Sequence, residues 1–325
     1  MLRSFLFSLF VAIIVWIVWI GTLSADVAFS AIRDYWQVSV TMIFGSFIAG
    51  ATSEGGGAVA FPVFTKLLHV DPFDAKVFSL AIQSVGMTAA TLVIIKMRVI
   101  VDWRVIFWAS TGGVFGILFS SIYIAPHLPP AIIKMAFTVL VSSFALTLFV
   151  LNRHTLRLVN KNLPETGRRA NIILLGVGLI GGIVSGMVGN GIDIITFSVL
   201  VLWYRMDEKV ATPTSVILMA FNAIVGFAIH TTIIDGFNET VEYYWYAAIP
   251  IVVIGAPLGA MACSVLDRTM IARVLLILIA IELITSLILI PMTFDVVLSS
   301  IVVFVIFTSF YYIMYRSKTY EPPVV

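Results

Sequence analysis

The chain has 325 residues, of which 61% are hydrophobic and 11% charged, with a mean hydropathy of +1.10. Soluble domains carry roughly 25% charged residues, so an ordinary water-soluble fold is excluded, and a net charge of +2 gives no basis for nucleic-acid binding. The single cysteine, Cys263, excludes an intrachain disulfide and a cysteine-based metal cluster.

The apolar residues fall into successive runs near the ~20 residues that a bilayer crossing needs. The first, Phe5 to Leu23, is preceded by Arg3 and followed by Ser24-Ala25-Asp26, the outline of a signal peptide. Its length and its two tryptophans, Trp16 and Trp19, favour a retained helix. A polar link with Asp26, Arg33 and Asp34 leads to a run over 36–68 that is too long for one simple crossing. Ser53-Glu54-Gly55-Gly56-Gly57 interrupts it. Simple runs follow at 75–97, 103–124 and 131–151, then the longest hydrophilic connection, 152–169, with Arg153, Arg157, Lys161, Arg168 and Arg169. A second broken run, 170–203, is interrupted at Gly189-Asn190-Gly191 and followed by simple runs at 210–234, 243–266 and 270–290. A last run, 295–315, ends before Arg316 and Lys318.

The two broken runs register at a constant offset of 136 residues, which pairs Gly45 with Gly181, Gly50 with Gly186 and Gly55 with Gly191. The expected organisation is an N-terminal helix and link (1–35), a first repeat (36–151), a basic link (152–169), a second repeat (170–290) and a C-terminal helix and tail (291–325). Lysine and arginine accumulate in cytoplasmic loops, which puts the basic link and both termini inside and the acidic link with Asp235, Glu239 and Glu242 outside. Counting back from the tail, each broken run must then begin and end on one side, as a re-entrant hairpin. Lys66 and Lys76 oppose the outside placement of the link between them and their neighbours. The expected fold is an all-α polytopic membrane protein of inverted repeats. Each repeat has one broken re-entrant hairpin and three transmembrane helices, and further helices stand at the N- and C-termini.

A broken backbone in hydrocarbon must be satisfied by protein or by a watery cavity. Most glycines, including Gly45, Gly50, Gly181, Gly182, Gly186, the Gly112/Gly113/Gly116 cluster and the Gly255/Gly259 pair, read as close helix packing. Gly55, Gly56 and Gly57 adjoin Glu54, and a helix starting near Ala58 would present unpartnered amides to an anion. Gly191 and Ile192 would supply the opposed helix end, the alternative in both cases being a purely structural hairpin tip. The helices that follow carry Ser79, Gln83, Ser84 and Thr88 in one copy and Thr214, Ser215 and Asn222 in the other. These hydroxyls and amides could line an anion site or make ordinary helix-to-helix hydrogen bonds.

Three carboxylates lie within apolar runs, Glu54, Asp193 and Glu282, and each is a functional candidate for that reason. Glu54 reads first as a proton carrier; Asp193 divides between proton coupling and helix capping; Glu282 reads as a helix-pairing residue. Asp71-Pro72 and Asp207-Glu208 correspond across the offset and read as helix caps. His69, His127, His154 and His230 lack metal-ligand spacing, and neither a metal nor a cofactor is expected. Trp36, Trp103, Trp203, Trp245 and Tyr243, Tyr244 and Tyr246 mark membrane interfaces, and Asn238-Glu239-Thr240 is a glycosylation sequon.

The duplicated pattern resembles the paired signatures of the TauE/SafE sulfite-exporter family, also called TSUP. The resemblance covers the chain from Trp36 to about Tyr315 and rests on Gly50 through Gly57 with Pro62. In the second copy it rests on Gly186, Gly189 and Gly191, then Ala211-Thr212-Pro213-Thr214-Ser215. Departures are Ser53 and Glu54 in the first cluster and Asn190, Ile192 and Asp193 in the second. The resemblance implies transport of sulfite, thiosulfate, an organosulfonate or another small organic acid across the cytoplasmic membrane, with export and proton coupling favoured. The expected partners are that anion, protons and membrane lipid, with a monomer or a dimer both open. A channel-like permease is the nearest alternative, and a membrane enzyme or receptor a more distant one.

Overall fold

The computed structural model describes residues 2–53, 57–151, 159–164, 167–317 and 320. Among them it is all helical. In chain order the helices are α1 (Leu2–Leu23), α2 (Ala25–Asp34), α3 (Trp36–Ala51), α4 (Gly57–Pro62), α5 (Pro72–Lys96), α6 (Trp103–Phe119) and α7 (Pro130–Leu151). The second half gives α8 (Arg168–Val188), α9 (Ile192–Ser198), α10 (Glu208–Thr232), α11 (Glu239–Val265), α12 (Arg268–Leu289) and α13 (Phe294–Arg316). Eight helices among the described residues are long and apolar enough to cross a bilayer. The chain is a multi-pass membrane protein. The link expected at residues 26–34 is instead the helix α2, which buries Ala28 and Ala31 and packs on α11. Ala28 and Ala31 recur at the three-residue spacing of one helix face, the face laid on the protein.

Both broken runs are hairpins. α8 ends at Gly189 (φ 85), and after Gly191 (φ 147) the chain returns alongside it. A β-carbon on Gly181 would fall 2.7 Å from Cα of Ile192. The links on either side of this hairpin meet: Asn160 N–H donates to the Arg205 carbonyl (2.8 Å), and Asp207 N–H donates to the Asn160 carbonyl (2.9 Å). α8 is itself long enough to cross a bilayer, so the first arm of the hairpin is deeper than a shallow loop. In the first hairpin, Tyr35 at the start and Phe64 near the end both pack on the ring of Tyr244, at 5.2 and 5.8 Å. Residues 54–56, which include Glu54, Gly55 and Gly56, lie outside the described residues.

The 136-residue offset persists in local geometry. π-helical turns occupy Val63–Leu67 and Val199–Trp203, and His69 and Arg205 both take φ 54. Asp71 caps α5 by accepting from Phe73 N–H, and Asp207 caps α10 by accepting from Lys209 N–H. Asp102 and the sequon residue Asn238 likewise cap α6 and α11. Each cap satisfies amides that a helix start leaves without partners.

The first arms exchange partners between copies. α3 packs on α11, with Ser39 donating to the Ala247 carbonyl and Gly50 abutting Ala256. α8 packs on α6, with Leu175 against Gly112, Leu179 against Gly116 and Gly182 against Gly113. Contacts advance together along both chains, so each pair is parallel. α5 and α10, the most buried of the long helices, run in opposite directions. The Phe73 ring lies 5.7 Å from that of His230, and Leu80 lies against Gly226.

Candidate functional site

The second hairpin tip docks on α5. Gly189 is left-handed, and a β-carbon there would lie 2.6 Å from the Lys76 carbonyl oxygen, so only glycine fits. Its own carbonyl accepts from Ser79 Oγ (3.3 Å) and Gln83 Nε2 (3.1 Å). Gln83 Nε2 also donates to Ser79 Oγ (2.6 Å), which fixes the two side chains against each other. Both residues are buried, and Gln83 Oε1 has no hydrogen-bond partner. Gln83 and Ser79 also line a void of about 10 Å³, together with Ser46 and Ala49 of α3 and Ala60 of α4. Gln83 therefore stands between the two hairpins, beside a space that holds about one water.

The start of α9 is capped from within the protein. Asp193 Oδ1 accepts from Gly191 N–H (3.2 Å) and Ile194 N–H (3.0 Å), and Ser185 Oγ accepts from Ile192 N–H (3.0 Å). The amides of Gly191 and Ile192, expected to be free for an anion, are thus engaged in this conformation. The physical reason is proximity: the tight turn brings Ser185 of the outgoing arm within reach, and Asp193 folds back on its own first turn. Asp193 sits in the first turn of α9, one residue past its start, with its carboxylate turned back on the amide of Gly191. Ser185 was not singled out from sequence; the available signal was a lone hydroxyl in the glycine-rich end of α8.

Other candidates are placed apart. Asn222 is buried without a hydrogen-bond partner and lies against Gly113, which also meets the Ile192 side chain. Thr214 Oγ1 accepts from Asp102 N–H (3.0 Å) at the start of α6 and donates to the Val210 carbonyl. Ser215 Oγ donates to the Thr212 carbonyl (2.8 Å) within α10. Ser79, Gln83 and the second tip come together; Thr214 and Ser215 bond elsewhere. Gly57 begins α4, while the Ala58 side chain lies outside what the structure describes, as do Glu54, Gly55 and Gly56. Ser53, the counterpart of Gly189, is buried with no partner for its hydroxyl.

Two of the larger cavities correspond to each other across the repeat. One, of about 420 Å³, is lined by Gly50, Arg98, Lys161, Asp207, Lys209 and Ser264 among others. The other, of about 250 Å³, is lined by Asp71, Phe73, Lys76, Pro126, Leu128 and Met187 among others. The 136-residue offset carries Asp71 onto Asp207, Phe73 onto Lys209 and Leu128 onto Ser264, so the cavities are counterparts. Each approaches the end of one hairpin arm, at Gly50 or at Met187.

The family model for the sulfite exporter TauE/SafE matches residues 38–287, spanning both hairpins and the helices between them. The chain belongs to the TauE/SafE sulfite exporter family. No curated protein and no solved structure matches it. Membership makes the chain a membrane transport protein of an anion-exporting family, and both hairpins and both cavities are built largely from its matched region. No group of three or more metal-ligating side chains is found among the described residues.

Glu282 of this TauE/SafE chain meets the returning arm of the first hairpin at Lys66. Its Oε1 receives Lys66 Nζ (2.9 Å), Thr138 Oγ1 (2.8 Å) and Ser286 Oγ (3.1 Å), and Lys66 also donates to Ser286 Oγ (2.6 Å). This buried cluster ties the returning arm of the first hairpin to α7 and α12. Lys66 and Lys76, which opposed the outside placement of their link, are both buried. They point into the protein and are not loop charges.

Proposed function

We propose that the chain is a secondary carrier that exports a small sulfur-containing oxyanion (sulfite, thiosulfate or an organosulfonate) across the cytoplasmic membrane, with both termini cytoplasmic. The observation that carries this reading is the pair of counterpart cavities, together with a void at Gln83 that has room for about one water. The opposite running of α5 and α10 supports inverted repeats, because equivalent helices that cross in opposite senses need an axis in the membrane plane. In such a carrier the two cavities open in turn and the anion passes between hairpins at Ser79, Gln83 and the tips. The larger cavity faces the cytoplasm on the strength of Arg98, Lys161 and Lys209. Basic walls raise the local concentration of an anion.

Glu54, in the first break, is the proposed proton carrier. Proteoliposomes loaded with sulfite, thiosulfate, sulfoacetate or a simple carboxylate, with and without a pH gradient, test both parts. Saturable sulfite flux that rises with the gradient is expected, and Glu54→Gln is expected to carry sulfite with the gradient dependence abolished. Flux that neither saturates nor responds to pH would favour a channel. Unaltered coupling in the variant would remove Glu54 from the mechanism.

A further inference from the structure

Lys76 is a charged side chain whose position the capping and packing of α5 do not explain. It is 1% exposed, lies in the wall of the 250 Å³ cavity, and carries its backbone carbonyl against the tip glycine Gly189. Among the described residues no ion pair or hydrogen bond engages its ammonium; it lies over the Phe73 ring, 4.5 Å away, and feels the charge of Asp71 through space. Asp71 lines the same cavity, but its carboxylate caps α5 through Phe73 N–H (2.8 Å). An ammonium taken out of water needs a directly bound partner to offset its lost hydration, and a cation–π contact replaces only part of it. Asp71 offsets part of the charge from a distance, and no carboxylate among the described residues touches the ammonium. Lys66, only ten residues earlier, shows what a structural buried lysine looks like here: a carboxylate at 2.9 Å and a hydroxyl at 2.6 Å.

The counterpart of Lys76 is Thr212, which is buried with its hydroxyl unpartnered. The charge is therefore not a requirement of the duplicated architecture, and it marks only one of the two cavities. The opposite cavity takes its positive charge from Arg98, Lys161 and Lys209 at other places in its wall.

We propose that Lys76 binds the transported oxyanion in the outward-facing cavity, its ammonium supplying the counter-charge at a station directly beside the second hairpin tip. This rests on the transport reading above and adds a residue and a side to it. The station is the last that an exported anion occupies before release, and the first that it meets from outside.

Sulfite binding to the purified full-length protein in detergent, by calorimetry, tests the proposal with Lys76→Met and Lys76→Arg. Lys76→Met removes a buried charge while keeping an unbranched apolar stem, so a folded, monodisperse protein with unchanged or higher thermal stability is expected. Its sulfite affinity should fall at least tenfold, while Lys76→Arg stays within threefold of the parent. If the parent protein binds none of sulfite, thiosulfate and sulfoacetate, the transport reading fails; if it prefers one of the latter two, the variants are compared on that anion. If the parent binds and Lys76→Met binds equally well, the transport reading stands and the Lys76 station is overturned. A Lys76→Met protein that does not stay monodisperse would also overturn it, since the ammonium would then be structural.

Discussion

Gly178→Ala is expected to destabilise the protein by about 1–3 kcal/mol or more, while Gly176→Ala, two residues away on the same helix, is expected to be neutral or stabilising by up to ~1 kcal/mol. A β-carbon on Gly178 would fall 2.0 Å from the Ala109 carbonyl oxygen, and one on Gly176 meets nothing within 4 Å. The obstacle at Gly178 is backbone, which cannot swing aside as a side chain can. α6 and α8 would have to separate, and the same seam continues through Gly112 and Gly182, where a β-carbon would fall 2.0 Å from the Leu175 carbonyl oxygen and 2.4 Å from that of Gly113. Thermal unfolding in detergent, followed by size exclusion, separates the two variants. Gly178→Leu should abolish monodisperse protein altogether. Because α8 is the outgoing arm of the second hairpin, sulfite flux by Gly178→Ala should fall with its stability, and Gly176→Ala should keep both.

Glu282→Leu is expected to cost about 3–5 kcal/mol, because it leaves the Lys66 ammonium buried without its carboxylate. The double variant Lys66→Met/Glu282→Leu should recover most of that loss, since exchanging a buried pair for apolar side chains is often neutral or stabilising. The ion pair is 2.9 Å long with both side chains 3% exposed. Thr138 and Ser286 would still satisfy each other at 2.6 Å after the carboxylate is removed. A double-mutant cycle on chemical or thermal unfolding reads the coupling. Equal losses in the single and double variants would show that the cluster acts through packing alone.

Much of this architecture was legible in the sequence because bilayer physics leaves a short menu. Runs of about 20 apolar residues announce helices, and glycine clusters within them announce breaks or close packing. The 136-residue offset read from Gly45, Gly50 and Gly55 recurs in caps, in π-helical turns and in the left-handed residues His69 and Arg205. The helix caps at Asp71 and Asp207 followed from local chemistry alone. What was not legible depends on contacts between distant segments. The exchange of arms, with α3 on α11 and α8 on α6, arises from backbone approach across some 60 to 210 residues, and no periodicity encodes it. The occupation of the Gly191 and Ile192 amides needed the turn geometry that places Ser185 and Asp193 around them. Lys66 and Lys76 look alike in sequence; only the fold distinguishes a paired lysine from an unpaired one.

Alternating access is tested most directly by thiol labelling of the two cavities in the same membrane. Native Cys263 lines the larger cavity, and Met187→Cys, in a Cys263→Ser background, reports on the smaller. Membrane-impermeant thiol reagents are applied from each side while sulfite is imposed on one side and then on the other. Reciprocal behaviour is expected: the sulfite gradient that raises labelling of Cys263 lowers labelling at position 187, and reversing the gradient reverses both. Labelling that rises and falls together at the two positions, or that ignores sulfite at both, would contradict a carrier whose cavities open in turn.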